Sequence, residues 1–320
     1  MVMRFAVCVL VLAAVASVAA CSRQQDETSP ARQQGPEGQP TLADPPASVT
    51  GGTDIATLRR LAGEGSLDAQ YGMGFLYQHG QGVEPDNTQA AAWYQQAADQ
   101  GHVAAQSYLA SMYADGEGVP HDDAQAVAWY RKAADQGYAA AQFGLGFMYD
   151  RGRGVPQDFT QAVAWVHRAA DQGLAEAQNY LAAMYGSGRG IRQDDAEAAA
   201  WAFKAADQGL ADAQNYLAAM YVNGRGVQQD FTEAVAWMRR AADQGHAGAQ
   251  YGLSVLYERQ DRVEAHMWLI LAASHATGNE QEEYAQTLEA RAQQMSAAQL
   301  AEAQRRAVEW QAAFEQRLAD

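Results

Sequence analysis

LAEAQNYLAAMYGSGRGIRQDDAEAAAWAFKAADQG, residues 174–209, is followed by LADAQNYLAAMYVNGRGVQQDFTEAVAWMRRAADQG, residues 210–245, and the two 36-residue stretches share 25 identities. A unit copied in tandem at a fixed period marks a stacked array, in which each copy buries its apolar face on the next. The register extends both ways. Tyrosines fall at Tyr77, Tyr113, Tyr149, Tyr185, Tyr221 and Tyr257, and tryptophans at Trp93, Trp129, Trp165, Trp201 and Trp237, every interval being 36 residues. Complete units span 66–101, 102–137, 138–173, 174–209 and 210–245, and a sixth begins at His246. Residues 57–65 match the second half of a unit, which predicts an N-terminal capping helix.

Each unit reads as two helices. Ala177, Leu181, Met184 and Tyr185 fall at i, i+4, i+7 and i+8, and Ala198, Trp201, Ala202 and Ala205 at i, i+3, i+4 and i+7, so each half has one apolar face. A Gly-x-Gly turn stands between the halves, as at Gly152 and Gly154 or Gly188 and Gly190, where glycine suits a positive φ. Phosphate binding there is disfavoured, because the next helix opens with an acid where an anion would have to sit. That acid is Asp86, Asp122, Asp158, Asp194 or Asp230, followed three residues later by Gln or Glu, the pattern of a capping box. Gly101, Gly137, Gly173, Gly209 and Gly245 mark the helix stops, and Lys132, Arg168, Lys204 and Arg240 precede them, suited to the negative end of the helix dipole. The expected fold is all-α, about six two-helix repeats with terminal capping helices.

Composition narrows the function. The 320 residues carry 22 Lys and Arg against 38 Asp and Glu, a formal charge of -16, so a nucleic-acid backbone would be repelled over most of the surface and is not an expected partner. Histidines are scattered at His79, His102, His121, His167, His246, His266 and His275 without ligand spacing to acids, and no serine recurs in a nucleophile motif. No catalytic residue, cofactor or metal site is therefore assigned. The two cysteines, Cys8 and Cys21, precede the repeats, whose stability must come from packing.

Residues 1–20 carry one basic residue, Arg4, and an apolar run, the pattern of a secretory signal. Val18-Ala19-Ala20-Cys21 resembles the lipobox of bacterial lipoproteins, with valine at the usual leucine position. The resemblance implies lipidation of Cys21 and a membrane attachment through that lipid. Cleavage that leaves a free thiol, and an uncleaved anchor, stay open as alternatives. Ser22 after the cysteine points, by analogy with sorting rules, to the outer membrane and a periplasm-facing position. Residues 21–52 hold too few large apolar side chains to offset the entropy of ordering and read as a disordered tether. The repeat array is placed at 53–278 and C-terminal capping helices at 279–320. In the sixth unit Tyr257 and Trp268 are 11 residues apart where the other units have 16, and the glycine turn is gone, as expected where an array ends.

The recurring A-x-x-x-L-x-x-x-Y-x-x-G-x-G-V-x-x-D-x-x-x-A-x-x-W-x-x-x-A-A-x-x-G resembles the Sel-one-like repeat, a relative of the tetratricopeptide repeat, from about residue 54 to 276. The resemblance implies a right-handed α/α superhelical solenoid that acts as a non-enzymatic scaffold, with first helices lining the concave side. Three first-helix columns vary between units, as a binding surface is free to do. They nominate Tyr71, Phe75, Tyr108, Phe143, Phe147, Asn179, Tyr180, Asn215 and Tyr216 as residues that contact a partner protein or an extended peptide in the cell envelope, the aromatics as walls and the amides as backbone clamps. Compensating changes in packing between repeats would produce the same variation. Two other functions stay open. One is an envelope hydrolase related to cysteine-rich, β-lactam-binding repeat proteins, whose disulfide cysteines this chain lacks. The other is an acidic immunity or inhibitor protein that steers a basic partner.

Overall fold

The computed structural model describes residues 54–319, which fall into two compact units, 54–192 and 193–319. The signal over 1–20, the tether over 21–52 and the lipidation of Cys21 lie outside the described residues. Among those residues all regular structure is helical.

In the 54–192 unit, α1 (Ile55–Gly63) is followed by α2 (Leu67–His79), α3 (Asn87–Asp99), α4 (Val103–Asp115), α5 (Asp123–Asp135), α6 (Ala139–Arg151), α7 (Phe159–Asp171) and α8 (Ala175–Ser187), each packed on its neighbours in sequence. First helices end at a left-handed glycine: Gly116, at φ 71°, lets its N–H close on the Met112 carbonyl. The interhelix core combines small and large side chains. Ala90, Ala97, Ala105 and Ala110 allow close approach around Leu109 and Met112, and none of the six is more than 1% exposed. Burying a side chain the size of Leu or Met contributes about 1.5–3 kcal/mol, so packing alone can hold a unit without cross-links.

The caps follow half of the expected pattern. Asp86, Asp122 and Asp158 each accept from the backbone N–H groups two and three residues on, at 2.9–3.0 Å. Their own N–H groups, which a full capping box would give to the Gln side chain, instead donate to the carbonyls of Tyr77, Tyr113 and Tyr149 at 2.9, 2.9 and 3.0 Å. That bond closes each helical hairpin, so the aspartate ties the turn at both ends.

In the 193–319 unit, α9 (Asp195–Asp207), α10 (Ala211–Asn223), α11 (Phe231–Ala242), α12 (Ala247–Tyr257) and α13 (Arg262–His275) continue the pattern, and α14 (Gly278–Ala292) and α15 (Ala297–Ala319) both pack on α13. The shortened hairpin between α12 and α13 keeps the closing bond, Asp261 N–H to the Tyr257 carbonyl at 2.9 Å. Ser296 and Gln299 form a reciprocal capping box at the start of α15, with bonds of 2.9 and 3.3 Å. Ala303 and Ala307 are buried, and Trp310 and Phe314, stacked at 5.1 Å, enclose His275.

Candidate partner-binding surface

The nominated residues divide by burial. In the 54–192 unit Tyr71 is 1% exposed, enclosed by Tyr94, Tyr108 and a stacked His102, with ring centroids 5.8, 5.7 and 4.7 Å away. Tyr108 and Phe75 are buried too, Phe75 with its ring edge-on to His79. In the 193–319 unit Asn215 is buried. These four side chains offer a partner almost no surface, which corrects their assignment as groove walls and clamp. Burying the three aromatic side chains inside the stack releases more free energy than leaving them in water. Compensating packing accounts for part of the variable columns: a Cβ on Gly144 would stand 2.7 Å from the Tyr130 ring, and one on Gly252 2.9 Å from the Met238 sulfur.

Phe143, Phe147, Asn179 and Tyr180 remain partly accessible in the 54–192 unit, as does Tyr216 in the 193–319 unit. Tyr180 meets Phe143 and Phe147 edge-on, at 5.7 and 6.2 Å between centroids, and Arg151 lies 5.4 Å over the Phe147 ring. Behind them sits Asp150, its side chain 0% exposed. The Tyr180 hydroxyl donates to Asp150 at 2.7 Å and accepts from Arg189 Nη2 at 3.2 Å. Arg189 Nε donates to the other carboxylate oxygen at 2.7 Å, and its Nη2 donates to the oxygen that Tyr180 also holds. Burial pushes the Tyr180 hydroxyl up to about 12 against the opposing pull of Arg151, so it stays protonated and able to donate at physiological pH. Tyr216 lies beside an analogous pair, Arg225 and Asp195 at 2.7 Å.

Asp150 and Arg189 were not nominated from the sequence. The signal was present: the arginine of the Gly-Arg-Gly turn reaches back 30 residues to an aspartate in two repeats, Arg153 to Asp123 and Arg225 to Asp195. For Arg189 that position is Phe159, and Asp150 takes the charge instead.

A second polar system also escaped the sequence reading. Gln70, Gln106, Gln142, Gln178, Gln214 and Gln250 are buried, and each donates to a helix-end carbonyl eight residues earlier at 3.1–3.2 Å. Gln100, Gln136 and Gln172 donate to the first three, and Gln244 to Gln214, at 2.7–2.9 Å. Buried amides demand such satisfaction. The role of Lys132, Arg168, Lys204 and Arg240 is likewise fuller than a helix-dipole contact, since each cation lies 3.5–4.4 Å over the tryptophan three residues before it.

His275 replaces glutamine at the end of this relay, with Nδ1 2.9 Å from Gln250 Oε1 and Nε2 3.1 Å from Gln311. His102 accepts the Ala105 N–H through Nδ1 at 3.1 Å and faces Asp68 at 3.4 Å, and His266 lies near Arg291 and Glu258. Burial holds all three below the ordinary histidine range, outweighing Asp68 for His102 and aided by Arg291 for His266. The unfolded chain therefore takes up protons first as pH falls through about 6.5, and stability is full above that value and declines below it. Thermal melts at pH 7.5 and 5.5 are expected to show this loss, and His275→Gln, which restores the relay amide, should flatten the difference. An unchanged pH difference in His275→Gln removes His275 from the account.

Among the described residues no cluster of His, Cys, Asp and Glu is arranged to hold a metal ion, and no helix is long and apolar enough to cross a membrane. A search of curated proteins finds no match. Among solved structures, a protective antigen present in uropathogenic Escherichia coli strains, displaying an SLR fold, is 31% identical, with a TM-score of 0.65 over 82% of this chain and 65% of that one. The chain thus spans less than two thirds of that antigen's length. A Sel1 repeat protein from Oxalobacter formigenes is 30% identical, with a TM-score of 0.63 over 70% of this chain and 92% of its own. The Sel1 repeat model matches six consecutive segments, 67–102, 103–138, 139–174, 175–210, 211–246 and 247–276. With its helix pairs, glycine turns and repeat-to-repeat contacts accounted for residue by residue, the chain belongs to the Sel1 repeat family.

Proposed function

We propose that this protein is a non-enzymatic scaffold of the bacterial cell envelope, held at the periplasmic side of the outer membrane by a lipid on Cys21, and that it binds a partner protein or extended peptide on its first-helix surface. Sel1 repeat proteins are in general protein-interaction scaffolds, and the repeats here fill most of the chain. The observation that carries the binding reading is the cluster of Phe143, Phe147 and Tyr180: partly accessible aromatics on adjacent first helices, with the Tyr180 hydroxyl held by Asp150 and Arg189. Aromatic anchors fixed before binding lose little side-chain entropy on contact, which is the property of interface hot spots.

Cross-linking in the intact envelope, followed by identification of the captured protein, tests the scaffold. With that partner in hand, Phe147→Ala combined with Tyr180→Ala is expected to weaken binding by a factor of about 30 or more, since two hot-spot side chains contribute at least ~2 kcal/mol together. Tyr180→Phe, which keeps the ring, should retain most of the affinity. Equal binding by the double alanine variant moves the contact surface elsewhere. For the membrane attachment, Cys21→Ser is expected to release the protein from the membrane fraction.

A further inference from the structure

Phe159 and Phe231 occupy the same repeat position, the first residue of α7 and of α11. In the 54–192 unit Phe159 is partly covered. The Arg189 guanidinium lies 5.3 Å from its ring centroid, and Gly190 approaches so closely that an added Cβ would stand 2.3 Å from the Phe159 carbonyl oxygen and 2.7 Å from its Cβ. Both covering residues come from the Gly-Arg-Gly turn of the following repeat.

In the 193–319 unit the repeat that follows Phe231 is the shortened one. Its hairpin keeps the closing bond from Asp261 to Tyr257, so what has been excised is the turn that would have lain over Phe231. Phe231 is left 47% exposed. The C-terminal helix does not stand in for the turn, because it meets the opposite end of α11, where Trp310 and Arg317 contact Asp243. The first turn of α11 itself carries two exposed acids, Asp230 and Glu233, and no Lys, Arg or His occurs over 226–238.

We propose that Phe231 is a docking point for an arginine carried on a glycine-flanked turn of a basic partner protein, which takes over the place that Arg189 and Gly190 fill on Phe159. The chain supplies its own template for the contact, a guanidinium over the ring with a side-chain-free residue against the backbone. A second copy is the poorer occupant. The three Gly-Arg-Gly turns already commit their arginines, Arg153 to Asp123, Arg189 to Asp150 and Arg225 to Asp195, and two chains of formal charge -16 repel. The inference rests on the scaffold reading above and names one feature of the partner.

The probe is the peptide GSGRGIRQ, the sequence of residues 186–193, titrated into the full chain while backbone amide shifts are followed by NMR. Saturable shifts confined to residues near Phe231 are expected, weakened about fivefold or more by Phe231→Ser or by a peptide with Gln in place of its first arginine. An unchanged melting temperature shows that Phe231→Ser leaves the exposed site folded. Absence of saturable shifts, an equal response from Phe231→Ser, or equal binding of the Gln peptide overturns the proposal. So does self-association in sedimentation that Phe231→Ser abolishes, which would make a second copy the occupant. The two readings fail separately. An envelope partner bound equally well by Phe231→Ser overturns the docking point and leaves the scaffold standing. Envelope cross-linking that captures no partner overturns the scaffold while the peptide titration still decides the docking point.

Discussion

Gly154→Ala is expected to destabilise the 54–192 unit by about 3–5 kcal/mol, against roughly 1–2 kcal/mol for Gly137→Ala, and to lower the melting temperature by about ten degrees against a few. Both glycines have positive φ, 66° and 89°, so both substitutions force an L-residue into the left-handed region. They differ in what a methyl group meets. At Gly137 nothing lies within 4 Å, whereas at Gly154 the new Cβ would stand 2.2 Å from the Asp123 carbonyl oxygen and 2.5 Å from its carbon. Those atoms are backbone at the start of α5 and cannot swing aside as a side-chain end could. Relief requires the turn to lift off the preceding repeat, which would also pull Arg153 away from Asp123 and the Ala114 carbonyl. Hydrogen exchange should then rise at the first turn of α5 in Gly154→Ala and not in Gly137→Ala. Equal melting temperatures for the two variants would falsify the view that the second glycine of the turn is dictated by contact between repeats.

This contact also shows what could be read without coordinates. The 36-residue period, the helix pairs, the aspartate caps and the glycine stops are local features, each decided within a few residues, and all of them stood in the sequence. What the second glycine touches is 31 residues away, and the aspartates that hold Arg153 and Arg225 are 30 away. Pairings at that distance appear in a sequence only as correlated exceptions. The phenylalanine at position 159 and the aspartate at position 150 are such a correlation, and it becomes legible once the geometry shows one arginine choosing between them. Burial was harder still. Tyr71 and Tyr180 both stand in variable first-helix columns, yet Tyr71 is enclosed because Tyr94 and Tyr108 close over it, while Tyr180 keeps an accessible edge. Variation between repeats reflects both surface freedom and compensating volume, and composition alone does not separate them.

Removing Arg189 should be the costliest single change at the aromatic cluster, because of what it leaves behind. In Arg189→Ala the Asp150 carboxylate, wholly buried, keeps only the Tyr180 hydroxyl at 2.7 Å and Arg151 Nε at 3.8 Å, a loss expected to reach about 3–5 kcal/mol. Asp150→Asn is expected to cost less, about 1–2 kcal/mol, since the amide still offers an acceptor and Arg189, 31% exposed, can turn its charge toward water. The asymmetry follows from burial: the stranded anion has no route to solvent and the stranded cation has one. Replacing both residues by leucine should recover much of the Arg189→Ala loss, because an apolar pair needs no compensation, and the double-mutant cycle should give a coupling of about 2 kcal/mol or more. Partner binding separates the structural role from the positioning role. If the pair serves to fix the Tyr180 ring, the leucine pair will fold stably yet bind the partner more weakly, with the loss appearing in the dissociation rate. If the leucine pair binds as tightly as the parent, Asp150 and Arg189 stabilise the repeat and Tyr180 needs no fixing to engage a partner.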